Sequence, residues 1–149
     1  MIKSYEVQNA GDYPDDWCLL RHRLWPNTTL DDHRAELQDV CENGAGFIVH
    51  GPDGSAIGFA EASLRRDYVN GCDTSPVAFL EGIYVEEAYR RQGVAAALVT
   101  EVTRWAIAQG VSELASDADI ANLSSHRMHA ALGFEETKRV VYFRRRLAP

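Results

Sequence analysis

Val85-Glu86-Glu87-Ala88-Tyr89-Arg90-Arg91-Gln92-Gly93-Val94-Ala95-Ala96 is the stretch that decides how this chain folds. The apolar run Val77–Val85 precedes it, with Glu81 as its one charged residue, and a helical pattern follows it to Gln109. A strand, a tight basic turn and a helix start together aim several free backbone N–H groups at one point, which suits an anion. Gly93 has no Cβ, so the backbone there can approach a phosphate closely. Ala95 and Ala96 keep the first turn slim, and Arg90 and Arg91 place positive charge where the helix dipole already favours an anion. Rival phosphate motifs fit badly, since the chain has no Gly-Lys pair for a P-loop and no G-x-G-x-x-G near its first strand. A basic helix start that only caps itself is the alternative these residues leave open.

On the N-terminal side, residues 2–7 alternate like a first strand, and residues 15–25 and 30–43 carry two helical patterns, the second capped by Thr29 or Asp31. Residues 47–50 and 56–65 flank Gly51-Pro52-Asp53-Gly54, a hairpin signal, and 66–76 is a polar loop before the central strand Val77–Val85. On the C-terminal side come the main helix at 91–109, a short strand at 113–116, a helix at 122–132 closed by Gly133, and a terminal strand at 137–147 containing Val140-Val141-Tyr142-Phe143. The order is β-α-α-β-β-β-α-β-α-β, an α/β chain without repeats, low-complexity segments or linkers.

A length of 149 residues suits one domain with a normal core, and 46% hydrophobic with 25% charged residues is ordinary for a soluble protein. No apolar run approaches the roughly 20 residues that span a bilayer, and the N-terminus lacks the apolar region of a signal peptide. Cys18, Cys41 and Cys72 are odd in number and scattered, which reads as reduced thiols in a cytoplasm. The formal net charge of −7 lies wholly in residues 1–76, with 13 acids against 6 bases; residues 77–149 hold 9 of each. Nucleic acid, which needs a basic surface, is excluded. The asymmetry suits a cationic ligand on the N-terminal half and an anionic one on the C-terminal half, or simply a soluble acidic surface.

The spacing Arg90-x-x-Gly93-x-Ala95 resembles the pyrophosphate-binding motif of the GNAT superfamily of N-acetyltransferases, and the order of elements is similar to theirs. Asn122, Gly133 and Phe134 match the superfamily's N-x-x-A-x-x-x-Y-x-x-x-G-F helix, with Ser125 in place of Ala and His129 in place of Tyr. Leu24-Trp25-Pro26, Asp67-Tyr68-Val69-Asn70-Gly71-Cys72, Phe79-Leu80-Glu81-Gly82, Ala115-Ser116-Asp117 and Leu132-Gly133-Phe134-Glu135-Glu136-Thr137 narrow the resemblance to aminoglycoside 6'-N-acetyltransferases. The resemblance implies one N-acetyltransferase domain over 1–149, with a mixed, mostly antiparallel central sheet flanked by helices. It implies acetyl-CoA as cosubstrate, held by Ile83, Tyr84, Val85, Arg90, Arg91, Gln92, Gly93, Val94, Ala95, Ala96 and Asn122. Its acceptor is a cationic aminoglycoside, acetylated at the 6'-amine with resistance as the outcome. A polyamine, a peptide N-terminus or a non-catalytic CoA-binding module are the alternatives.

Direct attack of an amine on a thioester needs no protein nucleophile, and none of the three cysteines has an evident base beside it. Backbone N–H groups near Ile83 to Val85 could polarise the thioester carbonyl. Glu81, a carboxylate inside an apolar strand, must face a cleft or a partner; it is a candidate for binding the acceptor's ammonium and taking its proton, or else a salt-bridge partner of an Arg. Trp25 and Tyr68 would supply flat walls and cation–π contact, with ordinary core as the alternative for Trp25. Asp117 would be a second ammonium anchor or a helix cap, Asp119 a cap, and Glu136 a further acid facing the cleft or a surface strand residue. Lys138 stands where the resembling family carries an acid. The superfamily's helix Tyr often protonates the departing thiolate; with His129 in its place, Tyr142 is the candidate acid. His126 and His129 lack a third ligand, so no metal is expected. The terminal strand, apolar on both faces, is an edge that needs cover, and the resemblance implies a homodimer that uses it.

Overall fold

The computed structural model describes residues 4–148, which form two units that divide after Asp117. The first unit contains β1 (Gln8–Asn9), a 3-10 turn (Ala10–Asp12), α1 (Pro14–Leu24), α2 (Leu30–Asn43), β2 (Gly44–His50), β3 (Ala56–Arg65), β4 (Val77–Val85), a second 3-10 turn (Glu87–Tyr89), α3 (Val94–Ala108) and β5 (Leu114–Ser116). The sheet runs in the order β1-β2-β3-β4-β5. Neighbours are antiparallel except β4 and β5, which are parallel.

Local chemistry sets the helix ends. Pro14 opens α1, where its missing N–H costs nothing, with Asp15 and Asp16 in the first turn and Arg21, His22 and Arg23 in the last, both signs matched to the helix dipole. Of the two candidate caps for α2, Thr29 does the work: its hydroxyl accepts the Asp32 N–H at 3.1 Å. The two helices lay Trp17, Leu20 and Leu37 against Ile48 and Phe59 on one sheet face. Helix α3 covers the other with Val94, Leu98, Val102 and Ala106. Two glycines let the helices approach the sheet, because a Cβ on Gly46 would meet the Trp17 ring at 2.5 Å and one on Gly58 would meet Val94 at 2.9 Å. No helix among the described residues is long and apolar enough to cross a membrane.

Two expected strands differ from the sequence reading. Of residues 2–7, Ile2 and Lys3 lie outside the described residues and 4–7 form no strand; the pairing falls at Gln8↔Ile48 and Asn9↔Phe47. Residues 137–147 form no strand either, and Val140 (49%), Val141 (76%), Tyr142 (86%) and Phe143 (92%) are exposed. Apolar β-formers give strand propensity, but a strand exists only when a neighbour takes its N–H and C=O groups. No described strand pairs with this segment.

In the second unit, α4 (Leu123–Ala131) starts at Asn122, whose carboxamide accepts the Ser125 N–H at 3.1 Å. It ends at Gly133, φ +90°, with Gly133 N–H bonded to Ala130 O (3.2 Å) and Phe134 N–H to His129 O (3.0 Å). These bonds and the His129–Phe134 ring contact (centroids 5.1 Å apart) make a Schellman stop.

One carboxylate organises the 66–76 loop. Glu113 accepts the amides of Asp73 (3.0 Å) and Thr74 (2.7 Å) and the Thr74 hydroxyl. The Thr74 hydroxyl, with those amides, holds the Glu113 carboxyl below its ordinary range against the opposing effect of desolvation. A depressed carboxylate pKa stabilises the folded form above the unfolded pKa, and that contribution is lost as pH falls through the folded one. Glu113→Ala is therefore expected to speed proteolytic cleavage within 66–76 at neutral pH with helix content unchanged. Acidification below the ordinary carboxylate range should loosen the same loop in the parent protein and add little in the variant; equal cleavage rates at neutral pH would refute the clamp.

Candidate active site

Strand β4 is paired unequally. Against β3 it is held from Val77 to Val85, but against β5 only over Ala78, Phe79 and Leu80. The Glu86 N–H donates to Ile57 O at 2.8 Å, on the β3 side. By the alternation of an antiparallel ladder, the backbone groups of Ile83 and Val85 then face the edge that β5 leaves. That is where the sequence placed the carbonyl-polarising amides.

The β3–β4 register slips between Glu61↔Gly82 and Ala62↔Leu80, which makes Glu81 the extra residue of a bulge. Strict alternation would send Glu81 and Gly82 to opposite faces; a bulge re-aims a side chain. Glu81 accordingly reaches Ser63 and Arg65, on the same face as Glu61 and Gly82. Its Oε1 accepts the Ser63 hydroxyl (2.6 Å) and Arg65 Nε (2.9 Å), and its Oε2 accepts Arg65 Nη2 (2.7 Å). The Arg65 guanidinium also lies over the Phe79 ring, 3.4 Å from its centroid. The salt bridge that the sequence left as an alternative is present, and the Glu81 side chain remains 31% exposed.

Trp25 stands beside it. Pro26 confines the preceding residue to extended backbone, so α1 ends and Trp25 turns off the helix at φ −124°, ψ 72°. The half-buried indole covers Gly82, where a Cβ would come within 2.6 Å of the ring, and meets Phe59 edge-on at 6.1 Å. Trp25, lying over Gly82, and Glu81, next to Gly82 on β4, thus share a face. Tyr68 is 69% exposed on the 66–76 loop, and Asp117 is exposed directly after β5.

The turn before α3 is built from backbone. Arg91 (φ +60°) and Gly93 (φ +92°) are both left-handed, and Gly93 caps α3 with no side-chain hydrogen bond; a helix start of this kind suits an anion. A Cβ on Gly93 would meet nothing within 4 Å; the need for glycine is conformational. Arg90 and Gln92 brace the turn, Arg90 Nε donating to Val85 O at 2.8 Å and Gln92 Nε2 to Ala88 O at 3.0 Å. A phosphate fits this cradle of amides, with Val94 buried beneath it and Ala95 and Ala96 in the first turn.

Within the second unit, Asn122 is the α4 cap, Glu136 is paired with Arg139, which lowers its pKa, and Tyr142 is almost fully exposed. Asp119 caps the turn before α4 and not the helix, accepting the Ala121 N–H at 2.8 Å. Burial raises the Cys18, Cys41 and Cys72 thiols above their ordinary pKa, which keeps them protonated and poor nucleophiles. Among the described residues, no three His, Cys, Asp or Glu side chains are grouped to hold a metal ion.

The sequence reading missed what lies under Trp25. Arg21, 4% exposed, bonds Glu61 through Nη1, Glu36 through Nη2 and His33 through Nε. Glu61, 3% exposed, also accepts the Trp17 indole N–H at 2.9 Å. A lone carboxylate in Ala60-Glu61-Ala62 was the available signal, since a buried charge demands a partner.

The chain matches the acetyltransferase (GNAT) family over residues 13–134. It is 56% identical to an aminoglycoside N(6')-acetyltransferase type 1 of Serratia marcescens over 138 residues, 91% of this chain and 94% of the relative. The enzyme of the same name from Salmonella typhimurium is 49% identical, over 89% of this chain and 92% of its own. The crystal structure of the aminoglycoside 6'-N-acetyltransferase AAC(6')-Ih from Acinetobacter baumannii matches with a TM-score of 0.89 at 42% identity, covering 97% of this chain and 100% of that one. AAC(6')-Iy in complex with the bisubstrate analogue CoA-S-monomethyl-acetylneamine matches at 0.90 and 44% identity, covering 97% and 99%. The chain therefore belongs to the GNAT acetyltransferases and, within them, to the aminoglycoside N(6')-acetyltransferases. The resemblance read from the Arg90–Ala96 turn and the scattered segments holds, as does the mixed, mostly antiparallel sheet flanked by helices.

A non-glycine residue held at a φ near +92° costs on the order of 1–3 kcal/mol. Gly93→Val is thus expected to weaken coenzyme A binding about tenfold or more in a calorimetric titration, with the fold retained by circular dichroism. Unchanged affinity would remove this turn as the phosphate site.

Proposed function

We propose that this chain transfers the acetyl group of acetyl-CoA to the 6'-amine of cationic aminoglycosides by direct attack, and thereby confers resistance. One observation carries the reading: β4 presents both halves of the reaction. Its open edge at Ile83 and Val85 leads into the amide cradle before α3, and its bulge sets Glu81 beside Trp25. The relatives' names and the bisubstrate complex support the same pair of substrates. We read residues 1–149 as one acetyltransferase domain, since the family match at 13–134 runs across the division after Asp117.

In this reading the cradle holds the pyrophosphate, and Ile83 N–H polarises the thioester carbonyl as its oxygen becomes negative. Trp25 and Tyr68 wall the acceptor, with Glu81, Asp117 and Glu136 as its carboxylate anchors. Glu81 binds the reacting ammonium and receives its proton, directly or through water. The free amine adds to the carbonyl carbon, the C–N bond forms, the nitrogen passes its second proton to water, from which Tyr142 is later reprotonated, and the C–S bond breaks to release coenzyme A thiolate. Tyr142 supplies the thiolate's proton. Ser63 and Arg65 already occupy both Glu81 oxygens, so anchoring is the larger part of its role.

A thiol-release assay with tobramycin, kanamycin, spermidine and a peptide N-terminus tests the assignment. Turnover confined to the aminoglycosides is expected; turnover with spermidine or peptide alone would redirect the enzyme to another amine, and coenzyme A binding without turnover would make it a binding module. With tobramycin, Glu81→Gln is expected to raise the acceptor's KM and lower kcat, the latter by as much as roughly 10²–10⁴-fold if proton transfer dominates. Neither changing would reduce Glu81 to a structural partner of Arg65. Tyr142→Phe with normal kcat would leave water or His129 as the acid.

The apolar run at 140–143, exposed within its unit, supports a homodimer formed through the C-terminal segment. Light scattering at micromolar concentration should give twice the mass of one chain. The mass of a single chain would exclude it.

A further inference from the structure

We infer that Arg21 and His33 are positioning residues for acceptor recognition, which they serve by fixing Trp25 as the wall beside Glu81. The inference rests on the proposed assignment of Trp25 to the acceptor site. Trp25 is held from α1 and α2 together. Its N–H donates to Arg21 O at 2.7 Å. Its carbonyl oxygen lies 3.0 Å from His33 Nε2. Its ring has the Arg21 guanidinium carbon 5.0 Å from the centroid and the His33 ring 6.3 Å away, with planes 27° apart.

The protonation pattern follows from the donors. Arginine has no acceptor, so the 3.2 Å contact between Arg21 Nε and His33 Nδ1 requires an unprotonated Nδ1. Nε2 then carries the hydrogen and donates it to Trp25 O. His33, 1% exposed, is thereby fixed in one tautomer and one ring orientation. Charge is arranged to suit a cationic ligand: Glu61 and Glu36 both pair with Arg21, and with both ionised the cluster carries one net negative charge beneath the indole. The chain Glu61–Arg21–His33–Trp25 links β3, α1 and α2 to a single ring. Glu61 also sits opposite Gly82 in the sheet, so the ring and the strand it covers are referenced to the same residue.

Arg21 itself is a poor probe, because its removal strands the buried Glu61 and the variant can fail to fold. His33 separates recognition from folding. His33→Leu keeps an apolar side chain but removes both hydrogen bonds. It is expected to raise the tobramycin KM on the order of fivefold, the worth of about one hydrogen bond. The acetyl-CoA KM and kcat should stay within about twofold by the same reasoning, since neither the α3 turn nor the β4 edge is touched. His33→Gln places an amide N–H where Nε2 stood and an acceptor toward Arg21, and should restore most of the loss. A lowered melting temperature with an unchanged tobramycin KM in His33→Leu would mark a merely structural role and overturn the inference. Trp25→Ala, run in parallel, tells the two failures apart. If it raises the tobramycin KM while His33→Leu does not, only the positioning role falls; if it leaves KM unchanged, the placement of Trp25 in the acceptor site falls first and the inference with it.

Discussion

The site depends on how β4 is bonded to its neighbours. β3 grips it over its whole length, while β5 lets go after Leu80, so the second half of the strand is rigid and yet has one edge to offer. An edge strand is ordinarily an invitation to another strand. Here that edge runs into a turn with two left-handed residues, Arg91 and Gly93, that leads into α3. The extra residue of the bulge then turns Glu81 onto the face that carries Trp25. Edge, cradle and carboxylate thus follow from one unequal pairing and one inserted residue.

The face under Trp25 is bought with buried charge. Burial raises the Glu61 carboxyl above its ordinary range, and the Arg21 guanidinium and the Trp17 N–H pull it back. A buried pair of this kind is weak evidence for stability, because desolvation offsets most of the attraction. Three acceptors arranged around one guanidinium, two of them buried, do, however, give a geometry that apolar packing alone would not specify. The same logic holds at Glu113, where a surface carboxylate with backbone partners orders the loop bearing Tyr68.

Periodicity and turn chemistry made most of the fold legible. Leu30–Asn43, Ala56–Arg65 and Val77–Val85 fall where the pattern placed them, and Gly133 stops α4 by the left-handed geometry that glycine signals. The ends of the chain were less legible, because an apolar run such as 140–143 states a preference and not a partner. At the site, Gly93 and Glu81 were readable as a glycine in a basic turn and a charge in an apolar strand. Arg65, Gly82, Arg21 and His33 were not. Their roles arise from a bulge and from contacts between residues 12 to 57 positions apart, Arg21 with His33 and Gly82 with Arg21's partner Glu61 and with Trp25 among them, and a one-residue slip in register leaves no mark in composition.

The charge asymmetry gains a physical meaning from this geometry. The acidic half of the chain supplies α1, α2 and β3, which wall the Glu81 face and include Glu36 and Glu61. The neutral half supplies the turn and α3, where the proposed anion site rests on oriented amides and needs no excess of cationic side chains; Arg90 braces Val85. A cation and an anion are thus approached by different means. Distributed carboxylates raise the local concentration of a polycation from a distance, whereas a helix start acts only within its first turn. Salt should therefore weaken acceptor binding more than cofactor binding, since the first is a long-range, screened attraction and the second a set of short hydrogen bonds.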